Sequence, residues 1–273
     1  IYSSIGGNTS LKNTHQNMLN ILDILSLNYD NLLKGSESTL LGEKFVDAEH
    51  YHGINGLTLE LQKKSKPHDL LETYEYIQQL YIDKKNVEIT LLMLGPLTNL
   101  AKALIAMPEI SSLIRSVVVM GGAFYVSGNA TKYAEFNIYA DPEAANIVFR
   151  SELAIKAIGL DVCQDVVINR NKFYDSQYLF TKSKNSSSKF ACSLIDSFFK
   201  FHPDRSEMSL CDPIAVICLF HDNEFVYNMQ EVIVETNEPK RGLTIPLNKN
   251  GNVAIATDLN SIKVTNLIDK SLT

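Results

Sequence analysis

Tryptophan is absent from this 273-residue chain, and only 13 glycines, 8 prolines and 4 cysteines occur in it. Such sparing use of glycine and proline excludes a collagen-like or low-complexity chain. The cysteines, Cys163, Cys192, Cys211 and Cys218, form no CxxC pair and keep no regular spacing. A disulfide scaffold or zinc ribbon is therefore unsupported, and reduced thiols in a cytoplasmic protein are the expectation. Positive charge is also short: 25 Lys and Arg against 31 Asp and Glu leave a net charge of −6. Nucleic-acid binders usually present a basic face, so no nucleic-acid partner is expected. No apolar run reaches the roughly 20 residues that a membrane-spanning helix needs, so no membrane partner is expected either. HExxH and GxSxG are missing, and Gly121, Gly122 and Gly128 fit neither a P-loop nor a dinucleotide fingerprint. Zinc-protease, serine-hydrolase and nicotinamide-oxidoreductase readings have no support.

What is present is a chain apolar enough, at 45% hydrophobic residues, to bury a sizeable core. Apolar residues recur at helical spacing over 10–27 and again over 70–82. Residues 86–94 start mixed and become apolar on both faces, as a central parallel strand should be. Pro96 then suits the first turn of a helix running to about 107. Further strands are expected at 117–120, 154–160, 232–234, 242–246 and 253–256. Further helices are expected at 142–150, 186–200, 214–220 and 259–270. This alternation predicts one domain, 1–273, an open and mostly parallel sheet with helices on both faces. Sites on such sheets lie at the carboxyl ends of the strands, where Asn8, 94–99, 120–137 and 161–164 fall.

Several residues in those places could carry chemistry. Read as extended chain, 135–139 puts Glu135 and Asn137 on one face with Phe136 on the other. A carboxylate beside an amide suits vicinal hydroxyls and hence a sugar; a solvated edge strand is the alternative. Asp141, Pro142 and Glu143 have the pattern of a helix start and are assigned to structure. Asp212 suits either a helix N-cap or an oxygen ligand for a hard cation such as Ca²⁺. Cys211 beside it suits a small buried side chain or an acid. His52 lies in a glycine-flanked loop, where a histidine serves function or simply faces solvent. His15 and His68 show no functional pattern.

Taken in order, these segments resemble the inosine-uridine-preferring nucleoside hydrolases. The resemblance rests on Gly7-Asn8, on His52-Gly53-Ile54-Asn55-Gly56-Leu57, and on Leu94-Gly95-Pro96-Leu97-Thr98-Asn99. It continues through Met120-Gly121-Gly122, Ala134-Glu135-Phe136-Asn137-Ile138-Tyr139 and Asp141-Pro142-Glu143, then Gly159-Leu160-Asp161-Val162 and Cys211-Asp212-Pro213-Ile214-Ala215. It implies a Rossmann-like nucleoside hydrolase fold and a Ca²⁺-dependent cleavage of a purine or pyrimidine ribonucleoside to ribose and base, in a homodimer or homotetramer. By the same resemblance, Asp212 and the Leu94 carbonyl are calcium ligands. Met120, Asn129, Glu135 and Asn137 hold the sugar, Asn8 supports the catalytic aspartate, and His52 and Cys211 lie near the leaving base.

Two departures from the family qualify this reading. The family's aspartate cluster, DxDxxxDD, has no counterpart, and residues 1–8 resemble the tail of a second strand. The expectation is a chain cut after its first strand, which binds Ca²⁺ poorly and does not turn over; a catalytically dead ribose- or nucleoside-binding protein on the same scaffold is the alternative. Cys211 replaces the histidine that many members use as the acid, though a cysteine-bearing subgroup exists. A thiol titrating near 8.5 matches that task less well than imidazole at neutral pH. Base preference is expected to depend on the loops around 50–57 and 201–210.

Overall fold

The structure, a computed structural model, describes residues 1–28, 32–61, 72–83, 87–177 and 185–272. Its strands are β1 (Tyr2–Ser3), β2 (Leu32–Leu33), β3 (Ile89–Met93), β4 (Ile114–Met120), β5 (Ile155–Ile158) and β6 (Val167–Asn169), followed by β7 (Glu207–Ser209), β8 (Phe225–Gln230), β9 (Val232–Val234), β10 (Thr244–Pro246) and β11 (Val253–Leu259). Its α-helices are α1 (Leu11–Ile24), α2 (Glu49–His52), α3 (Thr73–Ile82), α4 (Thr98–Ala106), α5 (Phe136–Ala140) and α6 (Pro142–Phe149), then α7 (Leu160–Cys163), α8 (Arg170–Lys172), α9 (Ser186–Phe201), α10 (Cys211–Phe220) and α11 (Ser261–Leu272).

Five strands form the main sheet in the order β3-β4-β5-β11-β8. The first four run parallel, and β8 is antiparallel to β11. Alternation along β4 shows how the sheet is buried on both sides. Val118 and Met120 join a core with Phe198 and Phe199 of α9, Ile214 of α10 and Val264 of α11. Val117 and Val119 face the opposite core, with Leu100 of α4, Val148 of α6 and Ile77 of α3. The expected layered α/β architecture is therefore present.

β1 and β2 form a separate parallel pair, Tyr2 with Leu32 and Ser3 with Leu33. Among the described residues, side chains rather than a shared ladder tie that pair to the rest of the fold. Asn99, from α4, donates to Ser3 Oγ at 3.0 Å and Ser4 O at 3.3 Å, and accepts from Ser36 N at 2.8 Å.

Several expectations need correction. Residues 135–139 are not extended: α5 occupies that stretch because the Glu135 carboxylate captures the amides of Asn137 and Ile138, a side-chain N-cap. β3 is not central; among the described residues it pairs only with β4, so it forms an edge of the main sheet. Leu160 opens α7 instead of ending β5. His52 sits on the short helix α2, not in an open loop. Leu70, Leu71 and Asn86, at the starts of an expected helix and strand, lie outside the described residues, as does His68.

Candidate active site

The floor of the site is built where β4 ends. Gly122 holds φ at +98°, a conformation that side-chain-bearing residues rarely adopt, and a Cβ there would meet the Phe124 ring at 2.7 Å. That turn aims the Gly122 amide at Glu135 Oε2, 3.1 Å away. The amides of Ile138, at 3.1 Å, and Asn137, at 2.9 Å to Oε1, complete three N–H donors on one carboxylate. Glu135 is only 2% exposed. Burial outweighs the three donors and pushes its pKa up to about 7. Asn137 donates from Nδ2 to Met120 O at 3.1 Å and contacts Met120 Sδ at 3.3 Å. Asn129 closes the group by accepting the Phe136 amide at 2.8 Å. The four residues expected to hold a sugar are thus gathered together, although the pleated face proposed for two of them is not what gathers them.

A second group adjoins the first. Asp212, on the first turn of α10, is exposed to solvent on one side while protein crowds it on the others. Lost hydration pushes its pKa up to about 6, and its charge in turn helps to raise that of Glu135. Cys211 adjoins Cys163 of α7; that contact and burial hold the Cys163 thiol well above the usual range. Cys163 packs in the core shared by α9, α10 and α11, with Cys211 and Tyr51 against it. Cys163 carries no sequence signal beyond its residue type, and only the fold reveals its place.

His52, on α2, follows Tyr51, which lies close to Cys211. Burial, followed by His202 and His50, pushes its pKa down to about 4, so at neutral pH it is an uncharged imidazole. Asn8 follows β1, where Gly7 packs against the Pro96 ring and Ile5 against Gly95. Asn8 O accepts the Ala48 amide at 2.9 Å, linking this turn to the entrance of α2. Leu94 lies immediately beyond β3 and is partly exposed. Asp141 proves structural: fully buried, it accepts Thr98 Oγ1 at 2.6 Å, the Leu40 amide at 2.7 Å and the Ala144 amide at 3.1 Å. Glu143 is held by both terminal nitrogens of Arg241, at 2.5 and 2.9 Å.

The sequence profile of one family, described as inosine-uridine preferring nucleoside hydrolase, matches residues 2–266. The chain belongs to that family. The nucleoside hydrolase homologues include uridine nucleosidase 1 of Arabidopsis thaliana, 30% identical over 242 residues that make up 86% of this chain and 69% of that protein. A pyrimidine-specific ribonucleoside hydrolase of Salmonella newport is 31% identical over 248 residues, 89% of this chain and 78% of that one. Among solved structures, a plant nucleoside hydrolase superposes with a TM-score of 0.87 at 27% identity, over 99% of this chain and 89% of the other. A purine-preferring ribonucleoside hydrolase from Gardnerella vaginalis does so with a TM-score of 0.88 at 26% identity, over 99% and 88%. This nucleoside hydrolase is accordingly an N-ribosyl hydrolase.

The donor chemistry bears on a metal. Asp212 and the Leu94 carbonyl are hard oxygen donors, the kind that Ca²⁺ prefers, but that ion takes six to eight oxygens. Among the described residues no three His, Cys, Asp or Glu side chains are grouped to hold a metal ion. By themselves these residues do not make a calcium cage.

Proposed function

We propose that this nucleoside hydrolase releases ribose from a pyrimidine ribonucleoside, uridine foremost, and that its activity depends on Ca²⁺. The observation that carries the reading is the Glu135–Asn137–Met120–Asn129 group at the carboxyl end of β4, in a chain whose family match runs from 2 to 266. The pyrimidine preference is supported by the names of the 30–31% identical relatives, a uridine nucleosidase and a pyrimidine-specific hydrolase.

Cleaving an N-glycosidic bond develops positive charge on the sugar ring, which fixed carboxylates and amide oxygens stabilise. Glu135 suits this task because three backbone amides hold it in one place. Its carboxylate has about four acceptor positions, so lone-pair capacity remains for a ribose hydroxyl. Asn137 and Asn129 bracket the same sugar, with Met120 beneath it. His52, neutral at pH 7, acts as a hydrogen-bond partner to the base and not as a standing acid. Cys211 is the candidate to deliver a proton to the departing base. A bound Ca²⁺ would orient the attacking water and lower its pKa; Asp212 and the Leu94 carbonyl would be two of its ligands.

The test is ribose release from uridine, cytidine, inosine and adenosine after chelation, with and without added Ca²⁺. Uridine turnover that stops on chelation and returns with Ca²⁺ is expected. Turnover indifferent to chelator would remove calcium from the reading. A second reading, a ribose- or nucleoside-binding protein without turnover, is favoured by Asp212 being the one carboxylate assigned to the metal position among the described residues. Saturable uridine binding with no ribose release in Ca²⁺ would establish it.

A further inference from the structure

The helix α2 is four residues long and has no side-chain cap, so it cannot hold its own conformation. What fixes it comes from α9. That helix ends at Phe201, and Arg170 gathers one carbonyl of its last turn and two of the segment that follows. Arg170 donates to Phe199 O at 2.9 Å, to Arg205 O at 2.7 Å and to His202 O. With its backbone pinned in this way, His202 presents Nε2 to Tyr51 O at 2.8 Å. A carbonyl only accepts, so Nε2 carries the proton and the tautomer is set. The Tyr51 and Phe198 rings lie 5.7 Å apart, and the Arg205 guanidinium sits 5.0 Å from the Tyr51 ring centre. Ser197 Oγ adds a second tie, to Thr58 O at 2.6 Å. Tyr51 directly precedes His52, and the stretch supplying these ties leads into Cys211 and Asp212.

We propose that His202 is a positioning residue: its hydrogen bond to Tyr51 O orients His52 and so sets how tightly the nucleobase is held. The proposal rests on the nucleosidase reading above. It identifies one bond through which the 201–210 and 50–57 loops act together on the base.

Two substitutions separate this role from simple packing. His202→Leu keeps the apolar contact with Phe198 but removes the donor, whereas His202→Gln restores an N–H in side-chain reach of Tyr51 O. Losing one such bond is expected to raise KM for uridine about tenfold in His202→Leu, with kcat changed less than about threefold. Exchange of the His52 and Gly53 amides, which bond Ala48 O and Glu49 O, should accelerate in the same variant. His202→Gln should return both quantities to within about threefold of the parent. Unchanged KM and exchange in His202→Leu, or a folded His202→Gln that behaves like the leucine variant, would overturn the proposal. If the parent releases no ribose from any nucleoside, the nucleosidase reading fails separately. Amide exchange then judges the tie alone: acceleration in the leucine variant but not in the glutamine variant supports it, and any other pattern rejects it.

Discussion

Replacing Glu135 with glutamine is expected to flatten the pH dependence of stability by about 2–3 kcal/mol between roughly pH 5 and pH 8. An unfolded glutamate titrates near 4.5, whereas the buried carboxyl of Glu135 titrates at about 7. Between those values the folded protein holds a proton that the unfolded chain has released. The stabilisation is therefore complete below the unfolded value and is lost as pH rises through about 7. The full gap corresponds to about 3 kcal/mol, of which about 2.5 falls inside the window. Glutamine cannot ionise, so this contribution disappears. It also turns an N–H₂ group towards one of the three amide donors that the carboxylate accepts, a cost to the variant that is the same at every pH. Asp212 pulls in the same direction and is present in both proteins, so it cancels from the comparison except for its repulsion with Glu135, which the glutamine variant lacks. Urea unfolding of chelated, ligand-free protein at several pH values measures the two slopes. Equal slopes would refute the assignment of a buried, neutral-pH proton to Glu135.

Two further outcomes follow from the geometry. Asp141→Ala strands the Leu40 and Ala144 amides and the Thr98 hydroxyl, and should cost about 2–4 kcal/mol in urea unfolding with the transition still cooperative. Cys211→Ala should lower kcat on uridine by about tenfold to a hundredfold if the thiol delivers the proton to the base; unchanged turnover on all four nucleosides would exclude it from that role.

The layered fold was legible because strand and helix periods were clear where burial is two-sided. The run 117–120, within β4, and the helix after Asp141-Pro142 are examples, and in both the local signal and the tertiary environment agree. The reading failed where one side chain redirected the backbone: the Glu135 carboxylate winds α5 out of a segment with strand-like alternation. β8 passed unnoticed because it lacks a clean alternation, with Val226 and Met229 exposed and Gln230 buried, and a bulge near Ala256 and Asp258 interrupts its partner. Within the site, Glu135, Asn137, Met120 and Asn129 could be named from sequence and do come together. Cys163 and His202 could not, since neither stands in a motif and each gains its place through a helix that packs there from a distant part of the chain.

Among the described residues no ladder joins the β1–β2 pair to the main sheet, so within them the site rests on two mechanical supports. One carries Glu135, Asn137 and Asp212 on continuous strand ladders and the helices over them. The other carries Asn8 and the entrance to α2, and it is joined to the first largely by Asn99, by the Leu40–Asp141 bond and by the ties from α9. Such a layer has its own opening free energy, below that of global unfolding. Warming or mild denaturant should therefore release the Asn8–His52 half as a subunit of cooperativity, abolishing base contact while the sugar floor at β4 is still folded.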